Sequence, residues 1–184
     1  MKCMNSLPSE EIILYHGSPV IVAVPKILDP GRAMDYGSGF YCTTSKAQAQ
    51  NRARTKSVNQ GYGYVNVYRF YPAFSDARVL RFEAADERWV NFVEKNRRDR
   101  TFRHNYDIVI GPVADDKVNL SFSLYEDKVI LKKDLIARLK AYNLVDQYLF
   151  HTERSLNALV FLRAEKVLCE TPTQQQKSIK QPKP

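Results

Sequence analysis

Gly37-Ser38-Gly39-Phe40-Tyr41-Cys42-Thr43-Thr44-Ser45 is the stretch on which the fold turns. Its glycines let the chain bend or let a ligand approach the backbone. The apolar-aromatic-small run after them reads as a short strand, and Ser45 is placed to cap a helix over Lys46 to Lys56. A strand that hands an aromatic face to a helix N-terminus suits a flat heteroaromatic ligand carrying phosphates, although Gly-x-Gly before an aromatic also serves as a plain turn before a core strand. The stretch that answers it is Tyr15-His16-Gly17-Ser18. Ile12 to Tyr15 is a strand-type apolar run broken by Gly17 and Pro19, which leaves His16 at its exit, either as a site residue or as a satisfied edge histidine. The two stretches read as halves of one ligand pocket. The loop Asp29-Pro30-Gly31-Arg32 leads into the second half, so Arg32 is near enough in sequence to Tyr41 to meet a bound phosphate, or else is a solvated loop charge.

Further along, Ala47, Ala49 and Ala53 among Lys, Gln and Arg favour a helix with a small-residue face. Tyr64 to Phe70 alternates like a half-buried strand, Arg78 to Phe82 repeats the pattern, and Asp86 caps a helix burying Trp89, Val90, Phe92 and Val93. That helix ends in Lys95-Asn96-Arg97-Arg98-Asp99-Arg100, which reads as cations complementing the macrodipole or as a polyanion-binding patch. Tyr106 to Pro112 is a continuous apolar run of central-strand type. Lys117 to Tyr125 fits strand or helix. Lys132 to Tyr142 reads as a helix, Leu144 to His151 as a strand, Thr152 as the cap of a short helix running through Leu159 and Val160, and Val167-Leu168 as a last short strand. His151 and Glu153 are read as structural.

The chain of 184 residues, 44% hydrophobic with 11 tyrosines and 9 phenylalanines, implies one packed domain over 1–170 and a polar, unburied tail over 171–184. Its 28 basic against 20 acidic residues favour polyanions as partners. Cys3, Cys42 and Cys169 are an odd number at wide spacing, which supports neither a disulfide framework nor a zinc site and fits a reducing cytoplasm. The N-terminal residues lack a signal-peptide core and no run approaches the ~20 apolar residues of a membrane span, so the expectation is a cytoplasmic protein without membrane attachment.

Tyr15-His16-Gly17-Ser18, Gly39-Phe40-Tyr41 and Gln147-Tyr148, in that order and at those separations, resemble the His-Tyr-Glu class of ADP-ribosyltransferases, the group of diphtheria toxin and the poly-ADP-ribose polymerases. The resemblance spans roughly residues 12 to 160. The Gly37 to Lys46, Asp107 to Asp116 and Gln147 to Thr152 blocks are also similar to a family of short bacterial proteins of unassigned function often placed in toxin-antitoxin pairs, and that similarity favours a helix after Asp115-Asp116.

The resemblance implies an α+β fold with split mixed and antiparallel sheets and flanking helices. It implies NAD as co-substrate and a macromolecular acceptor, nucleic acid or protein, with an antitoxin protein as possible partner. His16 would hydrogen-bond a ribose hydroxyl, Gly17 would offer backbone groups to the nicotinamide amide, Ser18 would belong to the same cofactor-binding stretch, and Tyr41 would stack on the nicotinamide. Thr43 or Ser45 would help hold the amide, and Gln147 would face the 2'-hydroxyl of the reacting ribose. Breaking the nicotinamide–ribose bond develops an oxocarbenium-like cation, so such a site must hold the ring flat and stabilise positive charge on the sugar.

Two positions depart from the pattern. Gln147 stands where the class has Glu; at about 4 Å and an effective dielectric of about 20, the missing charge is worth up to ~4 kcal/mol, roughly a thousandfold in rate. Arg52 stands where diphtheria toxin has a second stacking tyrosine, so either the nicotinamide is held on one face only or Arg52 serves a phosphate. These departures keep a second expectation open, a catalytically silent NAD- or nucleotide-binding module that binds nucleic acid through its basic surface. RNA 2'-phosphotransfer is a third, although its phosphate-binding arginines have no identified counterparts here.

Overall fold

The computed structural model describes residues 11–28, 34–72, 77–99, 101–113, 116–142 and 144–169. Arg32 and the 171–184 tail lie outside the described residues. The architecture is α+β: strands β1 (Ile12–Ser18) and β2 (Phe40–Cys42), helix α1 (Lys46–Lys56), strands β3 (Tyr62–Phe70) and β4 (Val79–Arg81), helix α2 (Glu87–Arg98), strand β5 (Ile108–Pro112), helices α3 (Asp116–Glu126) and α4 (Lys132–Lys140), strand β6 (Asp146–Phe150), helix α5 (Glu153–Leu156) and strand β7 (Leu159–Leu168). They form a three-stranded sheet in the order β1-β3-β7 and a four-stranded sheet in the order β2-β6-β5-β4. Pairing is mixed: β1–β3 and β5–β6 run antiparallel, β4–β5 parallel. Among the described residues, no helix is long and apolar enough to cross a membrane.

The chain divides into two compact units. One holds Ile12–Val24, Cys42–Phe70 and the chain from Val160. Here α1 begins as its sequence dictates, with the Ser45 hydroxyl accepting from the Gln48 amide, and buries Ala49 and Ala53. Ala49 joins Val65, Val67 and Val167 in the core, with Tyr15 and Leu162 packed against them. Strand β3 lies between β1 and β7, and Val65, Asn66, Val67 and Tyr68 are buried in succession. It is therefore covered on both faces rather than half-buried as its alternation suggests.

The other unit holds Pro25–Tyr41 and Tyr71–Leu159. Its core gathers Tyr36, Trp89, Val93, Phe122, Leu135, Leu139 and Leu149. Asp86 caps α2 by accepting from the Trp89 amide at 2.9 Å. The segment Lys117 to Tyr125 is helical, as the similarity to the bacterial family favours, with Val118 and Phe122 buried. Gly39 has φ +150, and a Cβ there would overlap the Leu149 side chain and the Phe150 carbonyl. Only glycine fits at this point of entry into β2.

Three further expectations change. His16 lies inside β1, paired with Asn66, because Gly17 and Ser18 continue the strand. The helix after Thr152 stops at Leu156, and Leu159 and Val160 open β7. Thr152 is the N-cap of that helix, as expected, with the Ser155 hydroxyl accepting from its amide at 3.3 Å, and the Thr152 hydroxyl also donates to Asp107 at 3.0 Å. Finally β7 runs for 10 residues where a short Val167-Leu168 strand is expected.

Candidate functional site

The histidine half sits in the first unit. Strand β1 is held at its exit by Asn66, whose side chain is fully buried. Asn66 Nδ2 donates to Ser18 Oγ at 3.0 Å, to the Val20 carbonyl at 3.2 Å and to the His16 carbonyl at 3.4 Å, while its Oδ1 accepts from the Val22 amide at 2.7 Å. The Ser18 hydroxyl in turn donates to the Val20 carbonyl. One amide thereby fixes the backbone on both sides of Gly17, the length of chain on which the resemblance puts the nicotinamide amide. Gly17 itself is dictated by α1: a Cβ would overlap the Ala49 carbonyl oxygen and come within 2.7 Å of the Ala53 nitrogen.

Thr43 reaches the same strand through two bonds with Tyr15, Tyr15 N–H to Thr43 O at 2.8 Å and Thr43 N–H to Tyr15 O at 3.0 Å. Its hydroxyl accepts from the Ser45 amide at 3.0 Å. Thr43 and Ser45 therefore each have a local task, shaping the turn and capping α1. Arg52 is exposed on α1. Burial pushes the Cys42 thiol well up, so it stays protonated.

The tyrosine and glutamine lie in the second unit, where Tyr36 organises both. The Tyr36 amide donates to the Tyr41 hydroxyl at 3.3 Å, and that hydroxyl donates to the Gly37 carbonyl at 2.6 Å. At its other end the Tyr36 hydroxyl accepts from Trp89 Nε1 at 2.6 Å and donates to the Pro112 carbonyl at 2.7 Å. The Gln147 amide lies beside that hydroxyl. Gln147 is 8% exposed, sits opposite Gly111 in the sheet, and its Nε2 is buried without a hydrogen-bond partner. A buried amide donor left unpaired costs about 1–3 kcal/mol, and the Tyr36 hydroxyl is the neighbouring oxygen able to lower that cost. Burial drives the Tyr36 hydroxyl far above its ordinary pKa, outweighing the lowering by Trp89 and Gln147, so it is a fixed neutral donor.

The segment that delivers Tyr41 is clamped along its length. Arg97 binds Asp35 Oδ1 through Nε at 2.8 Å and Nη2 at 2.6 Å. His104 Nε2 bonds the Tyr36 carbonyl at 2.9 Å and His151 Nδ1 the Ser38 carbonyl at 2.6 Å, with the two imidazole rings 4.4 Å apart. His151 thus holds backbone, in line with its structural reading; Glu153 is exposed. Nearby, the Asp107 carboxylate is 2% exposed and binds Arg154 at 2.7 Å, Thr152 at 3.0 Å and the Arg78 amide at 2.8 Å. Burial pushes that carboxyl up, but these hydrogen bonds outweigh it and hold it well below the usual carboxylate range.

Of the candidate residues, His16, Gly17, Ser18, Thr43, Ser45 and Arg52 share the first unit, and Tyr41 and Gln147 share the second. Sequence reading missed Tyr36, which is one tyrosine among 11, and Asn66. Only Asn66 left a signal, a β-depleted amide inside Tyr-Val-Asn-Val-Tyr. Among the described residues, no group of three or more His, Cys, Asp or Glu side chains is placed to hold a metal ion.

A family model described as Protein of unknown function (DUF3990) matches residues 12–161, and the chain belongs to that family. No curated protein matches it.

Proposed function

We propose that this DUF3990 member is an NAD-dependent mono-ADP-ribosyltransferase, moving ADP-ribose from NAD to a macromolecular acceptor. The observation that carries the reading is the gathering of Tyr41 and Gln147 about one buried tyrosine, Tyr36. The chain's division into a three-stranded and a four-stranded sheet supports an ADP-ribosyltransferase-like fold. In the proposed reaction the bond between nicotinamide nitrogen and ribose carbon breaks, nicotinamide leaves with the electron pair, and an acceptor nucleophile bonds that carbon and gives up its proton. Tyr41 stacks on the nicotinamide, His16 bonds a ribose hydroxyl, and the Gln147 amide orients the 2'-hydroxyl without supplying charge. Arg52 serves a phosphate, and Arg32 is proposed for the same role on its sequence position alone. On this reading the protein acts in the bacterial cytoplasm as a toxin or phage-defence effector, with a neutralising antitoxin protein as partner.

One observation favours the silent-module alternative. Gln147 is both uncharged and nearly closed off, and a site built for charge stabilisation would be expected to carry a carboxylate there. Purified protein incubated with labelled NAD and bacterial lysate, followed by nuclease or protease, separates the two. Transfer of label supports the transferase and identifies its acceptor class. Absence of both transfer and nicotinamide release leaves the silent module. Gln147→Ala and Tyr41→Ala are expected to abolish transfer. Gln147→Glu is expected to keep or raise it, with activity climbing as pH rises through the elevated pKa that burial would give the new carboxyl. Unchanged transfer by Gln147→Ala would remove Gln147 from the site.

A further inference from the structure

Residues 101–106, beyond α2, carry an aromatic ring at every second position: Phe102, His104 and Tyr106. The rings form a continuous run, with centroids 6.3 Å apart for Phe102–His104 and 5.8 Å for His104–Tyr106, and Phe92 of α2 lies beneath at 6.2 Å from Phe102 and 5.4 Å from His104. Tyr106 is 36% exposed, and Phe102 and His104 are half-buried. Cations frame the run. Lys95 Nζ sits 4.3 Å from the Phe102 ring centre, and Arg103, between Phe102 and His104, is exposed.

The carboxylates on this face are already engaged. Glu94 binds Arg98 at 2.8 Å and Lys132 at 3.2 Å, and Asp35 binds Arg97. Asp99 accepts from the amides of Thr101 and Phe102, closing the turn that ends the helix. Complementing a helix C-terminus needs cations but no rings. A run of adjoining rings edged by lysine and arginine is what unpaired bases need for stacking and their phosphates need for charge.

We propose that this face, formed by the C-terminal turn of α2 and residues 101–106, binds single-stranded nucleic acid. Bases stack on Phe102 and Tyr106, and phosphates meet Lys95 and Arg103. A duplex fits it poorly, because its bases are already stacked and offer no free ring faces. The site stands apart from the NAD reading. If the transferase assignment also holds, it names the acceptor class as single-stranded RNA or DNA.

The test needs no NAD, so its failure is distinct from failure of the transferase reading. Fluorescence anisotropy of the full chain with a labelled 12-mer of oligo(dT) or oligo(U), the matching duplex and a heparin fragment gives the ranking. Single strands are expected to bind at least about tenfold tighter than duplex, with affinity falling steeply as salt rises. Tyr106→Ala is expected to weaken single-strand binding about tenfold, and Tyr106→Phe to restore it, since stacking needs the ring and not the hydroxyl. Lys95→Ala should weaken every polyanion and flatten the salt dependence. Trp89 fluorescence, reporting the core beside α2, verifies that each variant is folded. Equal affinity for single strand, duplex and heparin, or a folded Tyr106→Ala that binds as tightly as the parent, would overturn the proposal in favour of charge alone.

Discussion

Tyr36 gives away its hydroxyl proton to Pro112 and accepts the Trp89 indole N–H, so a phenyl ring of the same shape would leave two buried polar groups unanswered. Tyr36→Phe is therefore expected to lower stability by about 1–3 kcal/mol, read as the shift in urea midpoint at unchanged slope. A loss near zero would mean that water replaces the hydroxyl. Nothing in the sequence singles out this tyrosine, because its partners Trp89, Pro112 and Gln147 lie 53, 76 and 111 positions away and meet only in the folded sheet. Gln147 stands out in the sequence through its motif, whereas its near-complete burial was not legible there. A glutamine after Val-Asp reads as the start of a strand, and whether it faces core or solvent depends on the neighbouring strand.

At the level of elements, α1 was readable almost to the residue, since Ser45 as cap and the alanine face at 49 and 53 both act locally. Strand β5 was plain as an apolar run between two neighbours, but it starts at Ile108 and continues through Gly111 and Pro112, which pair with Gln147 and Asp146, instead of stopping at them. The long β7 was not plain. It is an edge strand with Val160, Arg163, Lys166 and Leu168 exposed, so its apolar and charged residues follow no period. The close seat of α1 on β1 gives a sharp expectation. Gly17→Ala, carrying one methyl into the Ala49 carbonyl, should push the helix off the strand and cost about 1–3 kcal/mol or more. Ser18→Ala should also destabilise, by a smaller amount, since Asn66 keeps its other carbonyl acceptors. If Gly17→Ala unfolds at the parent's urea midpoint, the seat is not as tight as drawn.

For the molecule as a whole, the shifted groups define a pH window of stability. Burial, and then the neighbouring His151, hold His104 below the ordinary 6.5, against the bond to the Tyr36 carbonyl, which favours the proton. The unfolded chain takes up that proton first, so stability should fall as pH drops from about 6.5, and fall again below the ordinary carboxylate value of 3.8 as Asp107 loses its charge. Tyr36, Tyr68 and Cys42 are shifted upward, chiefly by burial, from ordinary values of 10.0, 10.0 and 9.0. Their unfolded forms ionise first, and stability should also fall above about pH 9. Urea titrations followed by circular dichroism and by the single Trp89 should trace a plateau between these limits. A midpoint that keeps rising toward pH 5 would contradict the account of His104.

Asp107 gathers Arg78, Thr152 and Arg154 from 29, 45 and 47 positions away onto one hidden carboxylate. Such a clasp cannot close by local search. Its three arms must be brought together by the growing sheet before any of them is rewarded, so its closure belongs to the slow, late part of the folding reaction, after the neighbouring helices have formed.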